Sequence, residues 1–572
     1  MTEATTALHE QPGLFAGPDE EQFVPMRDME TSLPGEPDAA ATDESGERAA
    51  RTRRSMLWAA YGDALGFISE LVDRKGLKRR TQGAPLDHLM GWERRVGGRS
   101  GVRALLPAGC WSDDTQLRMA VSRSIGSNGF DVETFARIEL PVWPSYALGG
   151  GRASKAAAKN LGKSSALWYA NTYRGWENAG GNGAAMRIQP HVWTSSGLDG
   201  DYMLDVITDS VCTHGHPRAI VGACFHAATL AYCLETGTVP HFRACTEIAH
   251  GIGDMLRLVK DHRMLGSTWV GLWQQATGQE FHDAWQATSD ELSVAVNDAM
   301  GQVDAAENVE AAYERVVDRL GLREPKQQGS GTLTTVAAVA LAAQASKAHE
   351  GVVVAANAVG TDTDTIASMA GALLGACDGA ADPPEAPLDS EYLQREADRL
   401  TAISQGRAAD SHRYPDILTW SAPQTQADAL VRHNGSLTVE GLGPVQRLEA
   451  DAKYETRGDF AWEWVRTDFG QTLLIKRRPE VKPLEAGNDL TPPPAPRERL
   501  TRRSSSAEGR IGDRSAPKPL DRGVKVDDAI QYARDQIDDD KSLGYTVRRV
   551  ARDGTIADLA ALVTAIREDL RR

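Results

Sequence analysis

The stretch that decides the fold is Gly-Thr-Asp-Thr-Asp-Thr-Ile-Ala-Ser-Met-Ala-Gly-Ala at residues 360–372. It places Asp362 and Asp364 one residue apart and continues in small and apolar residues, a pattern typical of a tightly packed, buried helix. Within a continuous helix these carboxylates would point about 200° apart, so we expect a loop at a helix start where both can reach one cation. Such oxygen ligands suit Mg²⁺, Mn²⁺ or Ca²⁺ rather than zinc. The same residues also form ordinary helix N-caps, and this stretch alone leaves both interpretations open.

A second acidic cluster lies in the sequence Gly-Cys-Trp-Ser-Asp-Asp-Thr-Gln at residues 109–116. Asp113 and Asp114 are adjacent, flanked by Ser112 and Thr115, and an apolar helix follows. Neighbouring carboxylates raise each other's pKa unless a cation lies between them, although a bare Asp-Asp pair also fits an N-cap. Two such clusters at helix starts predict one site of four carboxylates. Because that is more negative charge than a single divalent ion needs, we expect a two-metal site.

Three further segments carry candidate chemistry. Residues 179–190 form a Gly-rich loop around Gly181, Asn182 and Gly183, which exposes backbone N–H groups suited to phosphate oxygens or simply makes a tight turn. His214 heads a helix and is either a ligand-binding residue or a structural hydrogen-bonding group. Glu70 ends an apolar helix over residues 56–70 and is either functional or an ordinary surface acid.

Composition bounds the class of protein. The 572 residues are 25% charged and 41% apolar, as in soluble globular proteins. The net charge of −16 argues against non-specific nucleic-acid affinity over the whole surface, but a local basic patch is compatible with it. Six cysteines without a CxxC pair indicate reduced, buried thiols. With neither a secretory signal nor a long uncharged apolar run, we expect a cytoplasmic protein that does not act at a membrane.

The chain divides into five predicted segments: a disordered acidic tail (1–54), a helical domain (55–405), a small antiparallel β-module (406–480), a basic flexible linker (481–523) and a helical C-terminal segment (524–572). In the β-module, Trp462 and Trp464 lie near three consecutive cations, residues 476–478, and either bind nucleic acid or pack on the buried face of the sheet. The last segment predicts two helices, 527–538 and 555–567, around a turn at Gly544, and we expect it to dock on a partner.

Four segments in order resemble the ADP-ribosylglycohydrolase family: GDALGFISE (62–70), GCWSDDTQ (109–116), GNGAAMRIQP (181–190) with THGHP (213–217), and GTDTDTIASMAGALLGA (360–376). The resemblance covers roughly residues 55–400. It implies an all-α orthogonal helical bundle with a binuclear Mg²⁺ centre, in which Mn²⁺ could substitute. Departures from the family pattern are Ser112 in place of the usual Thr, Thr361 where Gly is frequent, and Ile68-Ser69 where a proline is common.

The resemblance also implies roles for particular residues. The metal ligands would be Ser112, Asp113 and Asp114 from one side and Asp362, Asp364 and Thr365 from the other. The catalytic residues would be Glu70, Asp113 and Asp364, and the substrate would bind Gly181, Asn182, Gly183 and His214.

The function expected from these residues is Mg²⁺-dependent hydrolysis of the bond at ribose C1″, releasing ADP-ribose from a modified protein, nucleic acid or small conjugate. The motifs do not distinguish arginine, serine, nucleic acid or an O-acyl group as the leaving group. The alternative function is that of an ADP-ribose-binding reader or scaffold that its C-terminal modules direct to a nucleic-acid or protein partner.

Overall fold

The protein is mainly helical. The computed structural model describes residues 39–98, 101–163, 165–198, 202–303, 308–448, 454–455, 460–491, 526–535, 540–553 and 556–569. Residues 45–572 form one compact unit, and of residues 1–44 only the start of the first helix is described.

The helices are α1 (Ala39–Phe67), α2 (Arg74–Arg80), α3 (Asp113–Arg123), α4 (Val132–Thr134), α5 (Leu140–Val142), α6 (Arg152–Leu161), α7 (Gln189–Trp193), α8 (Tyr202–Val211), α9 (Pro217–Thr236), α10 (Phe242–Ile252), α11 (Leu256–Asp261), α12 (Val270–Thr277), α13 (Phe281–Met300), α14 (Val309–Arg319), α15 (Gly331–Gln344), α16 (Ala348–Asn357), α17 (Thr363–Gly375), α18 (Ser390–Ser404), α19 (Val526–Asp535), α20 (Asp540–Asp553) and α21 (Ile556–Asp569). The strands are β1 (Trp92–Val96), β2 (Val102–Leu106), β3 (Ile125–Gly126), β4 (Gly129–Phe130), β5 (Leu430–His433), β6 (Ser436–Val439), β7 (Gly443–Arg447), β8 (Tyr454–Glu455), β9 (Ala461–Thr467) and β10 (Thr472–Arg477).

A close crossing of α1 and α17 organises the helical body. Every residue of α17 is buried, and each helix contributes two glycines four positions apart to the contact, Gly62 and Gly66 from α1 and Gly371 and Gly375 from α17. A side chain at Gly66, for example, would place its Cβ 2.5 Å from the Cα of Asp364. Because glycine lets two backbones touch here, the end of α1 and the start of α17 lie side by side.

Helix α9 is a second core element and packs closely against α15, where Gly222 meets the backbone of Gly331. Among the described helices it is the one long and apolar enough to cross a membrane, yet 78% of its apolar window is buried inside the protein, as in a core helix. All six cysteines are free, and all but the partly exposed Cys377 are buried, as the sequence predicted.

The C-terminal strands form the small antiparallel sheet that the sequence predicted. Its order is β10-β9-β7-β6-β5, with β8 also paired to β9. The hairpin of β1 and β2, antiparallel with Trp92 opposite Leu106, was not predicted, because its charged residues hide the strand alternation.

The sheet packs directly on the helices and shares their hydrophobic core. Trp462 and Trp464 are buried there, 4% and 8% exposed, which confirms the packing interpretation over the nucleic-acid one. Lys476 covers Phe460 at 4.4 Å instead of projecting freely. Between the sheet and α3, Arg123 donates to Gln471 at 2.6 Å.

Three predicted segments differ from the structure. Helix α1 begins at Ala39, so the interpretation of residues 39–54 as a disordered tail is wrong, whereas 1–38 lie outside the described residues. Residues 481–491 run along the sheet, where the Leu484 N–H donates to the Arg432 carbonyl at 2.9 Å, so the predicted linker does not begin at 481. Residues 492–523 are not described.

The C-terminal segment also differs from its prediction. Gly544 lies inside α20 rather than in a turn, and the described helices α19, α20 and α21 enclose a small core of their own. The other predicted domain boundaries stay predictions.

Candidate functional site

The predicted site residues line one cavity of about 750 Å³. It brings together Glu70, Asp113, Asp114, Gly181, Asn182, Gly183, His214, Asp362, Asp364 and Thr365. Ser112 lies just outside the lining, fully buried at the N-cap of α3. Segments almost 300 residues apart in sequence therefore converge as the motifs predicted.

The first acidic cluster is positioned by a residue that the sequence analysis did not assign, Asp63. This buried carboxylate of α1 accepts hydrogen bonds at 2.9 Å from the backbone N–H groups of Ser112 and Thr115, one to each oxygen. The Ser112 hydroxyl in turn accepts the Asp114 N–H at 3.1 Å. Together these bonds fix the first turn of α3, where Asp113 and Asp114 lie. An acid between two glycines of an apolar helix was the signal that could have revealed Asp63.

The second cluster lies at the start of α17. Asp362 precedes the helix and accepts a hydrogen bond from the Asn182 amide at 2.9 Å, which ties the Gly-rich loop to the acidic cluster. Asp364 accepts the N–H of Thr365 at 2.9 Å. The two carboxylates thus sit at a loop-to-helix junction, as predicted, and face the same cavity as the α3 pair.

Glu70 is held beside both clusters by two arginines that the sequence analysis missed. The Arg94 guanidinium, from β1, lies 3.0 Å from the Glu70 carboxylate and stacks over Phe67 at 4.1 Å. Arg80 of α2 donates to the backbone carbonyl of Glu70 at 2.9 Å. Neither arginine stood out in the sequence, because nothing there showed that the hairpin folds back over the end of α1.

Crowded, buried carboxylates dominate the electrostatics of the cavity. Burial, followed by Glu70 and Asp63, raises the pKa of Asp113 to about 7. Burial and neighbouring acids also raise the pKa values of Asp114 and Asp364 well above the ordinary value. One oxygen of Asp114 is buried without a hydrogen-bond partner among the described residues. Crowded, buried carboxylates with an unpartnered oxygen fit a hard divalent ion, since a cation would stabilise the charged forms.

The individual metal ligands stay a prediction. In this geometry no three His, Cys, Asp or Glu side chains of the described part of the chain are close enough to hold one ion together.

Another part of the cavity lining is suited to phosphate. Helix α6 begins there, and the hydroxyl of Ser154 in its first turn is buried without a hydrogen-bond partner in the described structure. A side chain at Gly183 would place its Cβ 3.1 Å from this hydroxyl and 3.0 Å from the His214 ring. Burial lowers the pKa of His214 to about 3, so its imidazole is neutral. Free N–H groups, a hydroxyl and a glycine-lined surface together suit an anionic group.

Comparison with known proteins agrees with this arrangement. The family model described as ADP-ribosylglycohydrolase matches residues 44–410. The chain belongs to the ADP-ribosylglycohydrolase family. The four motifs and the cavity all lie within the matched range, so the resemblance that they carried is confirmed, and with it the mainly helical fold.

Two similar proteins show how far the likeness extends. The ADP-ribosyl-[dinitrogen reductase] glycohydrolase of Rhodospirillum rubrum is 27% identical over 225 residues, which are 37% of this chain and 65% of that protein, slightly less than two thirds of its length. A solved structure titled ADP-ribosylglycohydrolase-related protein complex is 21% identical, with 63% of this chain and 99% of that chain covered and a TM-score of 0.42.

Proposed function

We propose that this protein is a Mg²⁺-dependent hydrolase that cleaves the C1″ glycosidic bond of ADP-ribosylated macromolecules or small ADP-ribose conjugates and releases ADP-ribose. The observation that supports this most is the composition of the cavity lining, which combines acidic side chains with a glycine-rich, hydroxyl-bearing surface suited to a diphosphate. Membership of the family supports the same reaction.

The metal ions would be held by Ser112, Asp113, Asp114, Asp362, Asp364 and Thr365. When bound, Mg²⁺ would supply Lewis acidity and activate a water at neutral pH. The donor set is all oxygen, as Mg²⁺ prefers, and Mn²⁺ would fit the same ligands.

The chain's own residues would orient the substrate and move protons. Gly181, Asn182 and Gly183, next to His214, would bind the ribose and the diphosphate, because side chains larger than glycine would close this surface. Glu70 lies at the edge of the acidic cluster with its carboxylate fixed by Arg94, so it would exchange a proton with the leaving-group atom as the C1″ bond breaks. Asp113 and Asp364 would assist that proton transfer from inside the cavity.

The test is release of free ADP-ribose from ADP-ribosyl-arginine, ADP-ribosyl-serine and ADP-ribosylated DNA, with Mg²⁺ and again with EDTA. We expect Mg²⁺-dependent release from at least one conjugate, which would also identify the leaving group. D113N and D362N should each abolish release, whereas D382N, at an exposed aspartate outside the cavity, serves as the matched control. Unchanged turnover in both site variants would contradict the metal assignment.

The same experiment decides the alternative function. Binding of ADP-ribose without release from any conjugate would indicate a reader rather than a hydrolase. Its predicted nucleic-acid surface is not at Trp462 and Trp464, since both are buried.

A further inference from the structure

Helix α2 carries a concentrated positive charge in a chain whose net charge is −16. Its sequence is Arg-Lys-Gly-Leu-Lys-Arg-Arg. Residues four apart lie on the same face of a helix, so Arg74 and Lys78 form one row, and Lys75 and Arg79 form a second row beside it. All four side chains are exposed. Like charges at this spacing destabilise a helix, so folding does not explain why they are grouped.

The helix is fixed next to the mouth of the cavity. Its fifth cation, Arg80, turns inward and donates to the carbonyls of Ile68 at 2.8 Å and Glu70 at 2.9 Å. Leu71, which is 73% exposed and has a φ of 54°, lines the cavity between Glu70 and the start of α2. The basic face therefore begins within a few residues of the proposed catalytic acid.

These cations remain available for a partner. Within the described residues, no carboxylate forms an ion pair with Arg74, Lys75, Lys78 or Arg79. Two acids of α14, Glu310 and Glu314, line the far side of a groove that Arg74 and Lys78 border. Glu314 is neutralised by Arg323 at 2.8 Å, and the outer row of α2 does not line this groove. The net charge of the face stays positive.

Two further cations line the cavity itself. Arg152 and Arg174 are exposed and line the cavity next to the wall suited to phosphate. In the part of the chain that the structure describes, neither forms an ion pair with a carboxylate. A partner whose modified residue enters the cavity therefore meets positive charge from two segments of the chain, α2 and the loop and helix start that carry Arg174 and Arg152.

We propose that α2 binds the phosphate backbone of a nucleic acid whose ADP-ribosylated nucleotide occupies the cavity. This inference rests on the proposed function and names its substrate class. A nucleic acid carries a phosphate at every residue, so unpaired cations on two separate segments can each meet a phosphate, whereas a protein needs acidic residues placed for the purpose. Because the chain as a whole is acidic and repels a polyanion, the basic face of α2 also determines where on the surface a polyanion binds.

The first measurement is binding of a fluorescein-labelled, mixed-sequence 12-nucleotide single strand to the full chain, followed by fluorescence anisotropy at several salt concentrations. The variant is K75Q/R79Q, which alters the outer row of α2. The matched control is R257Q/K260Q, which removes the same charge from exposed positions on α11. With about 0.7 counterions released per phosphate contact of a single strand, losing two contacts should lower the salt slope by about 1.4 and weaken binding roughly twentyfold at 0.1 M salt. The control should bind as the native chain does.

The second measurement compares kcat/KM for an ADP-ribosylated oligonucleotide with kcat/KM for ADP-ribosyl-arginine in the same variants. We expect K75Q/R79Q to lower the ratio of the two, and the control to leave it unchanged. An unchanged ratio, or an equal loss of binding in the control, would overturn the inference. An ADP-ribosylated acidic protein is assayed as a third substrate, and a loss of kcat/KM confined to it would show that the partner is a protein and would also overturn the inference. Absence of release from every conjugate would instead refute the proposed function itself.

Discussion

The crossing of α1 and α17 makes the sharpest prediction, because two glycines of the same helix should respond to the same substitution in opposite ways. A methyl group on Gly62 would overlap the carbonyl of Ala367 in α17, with its carbon only 2.6 Å from the carbonyl carbon. Gly46, also in α1, is exposed and has no atom within 4 Å of the corresponding position. Both substitutions to alanine carry the same intrinsic gain in helix propensity, about 0.5–1 kcal/mol.

The magnitude at Gly62 follows from the geometry. Carbon atoms in van der Waals contact lie about 3.5–4.0 Å apart, so the two helices must separate by about 1 Å to accept the methyl group. Overpacking of this kind costs about 1–3 kcal/mol, and the separation also weakens neighbouring contacts of the crossing. After the propensity gain is subtracted, we expect G62A to be about 2 kcal/mol less stable than the native chain and G46A to be about 0.5–1 kcal/mol more stable. Because Glu70 follows the end of α1 and Asp364 lies in the first turn of α17, a shift of about 1 Å should also lower kcat/KM about a hundredfold.

The assay is urea unfolding of G62A, G46A and the native chain in EDTA, which removes any stabilisation by metal, followed by ADP-ribose release with Mg²⁺. If G62A unfolded at the same urea concentration as G46A and turned over substrate normally, the close crossing could not be what positions the two acidic clusters.

Three other predictions concern single side chains. D63N should lower the free energy of unfolding by about 2–4 kcal/mol, because one buried backbone N–H at the start of α3 loses its acceptor. Urea unfolding measures this change, and a loss under 1 kcal/mol would contradict the role of Asp63. R94A should lower kcat about tenfold or more with a smaller change in KM, because Glu70 loses its partner at 3.0 Å; an altered KM alone would argue against positioning. Burial, with Glu485 and Asp428 adding to it, raises the pKa of Glu440 to about 7. The folded state therefore favours the protonated form of Glu440. The stability that this preference contributes is complete below pH 4.5 and is lost as the pH rises through 7. E440Q should therefore be about 2–3 kcal/mol more stable than the native chain at pH 8 and equal to it near pH 4, and a gain independent of pH would refute the assignment.

Much of the site could be predicted from the sequence because each acidic motif is a helix start that can be recognised from its neighbouring residues alone. Asp113, Asp114, Asp362 and Asp364 follow loops and precede apolar helices, and carboxylates in that position must face a polar cavity or pay the cost of burial without a partner. The resemblance to the family then indicated that these four aspartates belong to one site. Four strands of the C-terminal sheet, β6, β8, β9 and β10, could likewise be predicted from alternating apolar and polar residues, whereas β5 and β7 were missed.

What the sequence could not show depends on contacts between distant segments. Arg94 reaches Glu70 only because the β1–β2 hairpin folds over the end of α1. No local sequence pattern indicates this fold of the hairpin. The burial of Trp462 and Trp464 likewise depends on the sheet packing against the helical body. Gly544 reads as a turn by its own propensity, yet in α20 tertiary packing overrides the roughly 1 kcal/mol that glycine costs a helix.

The six acids near the cavity fall into two groups, and this division is the structural basis for choosing the metal ligands. Asp63 is stabilised by two backbone N–H groups at the positive end of α3, and Glu70 by Arg94. The four others, in the described structure, have no ion pair, and burial raises the pKa of each, as it also does for Asp63. Since Asp63 has a backbone donor for each oxygen and Glu70 has a guanidinium partner, the other four are the acids that a bound cation would stabilise most, which supports the proposed assignment of the metal ligands.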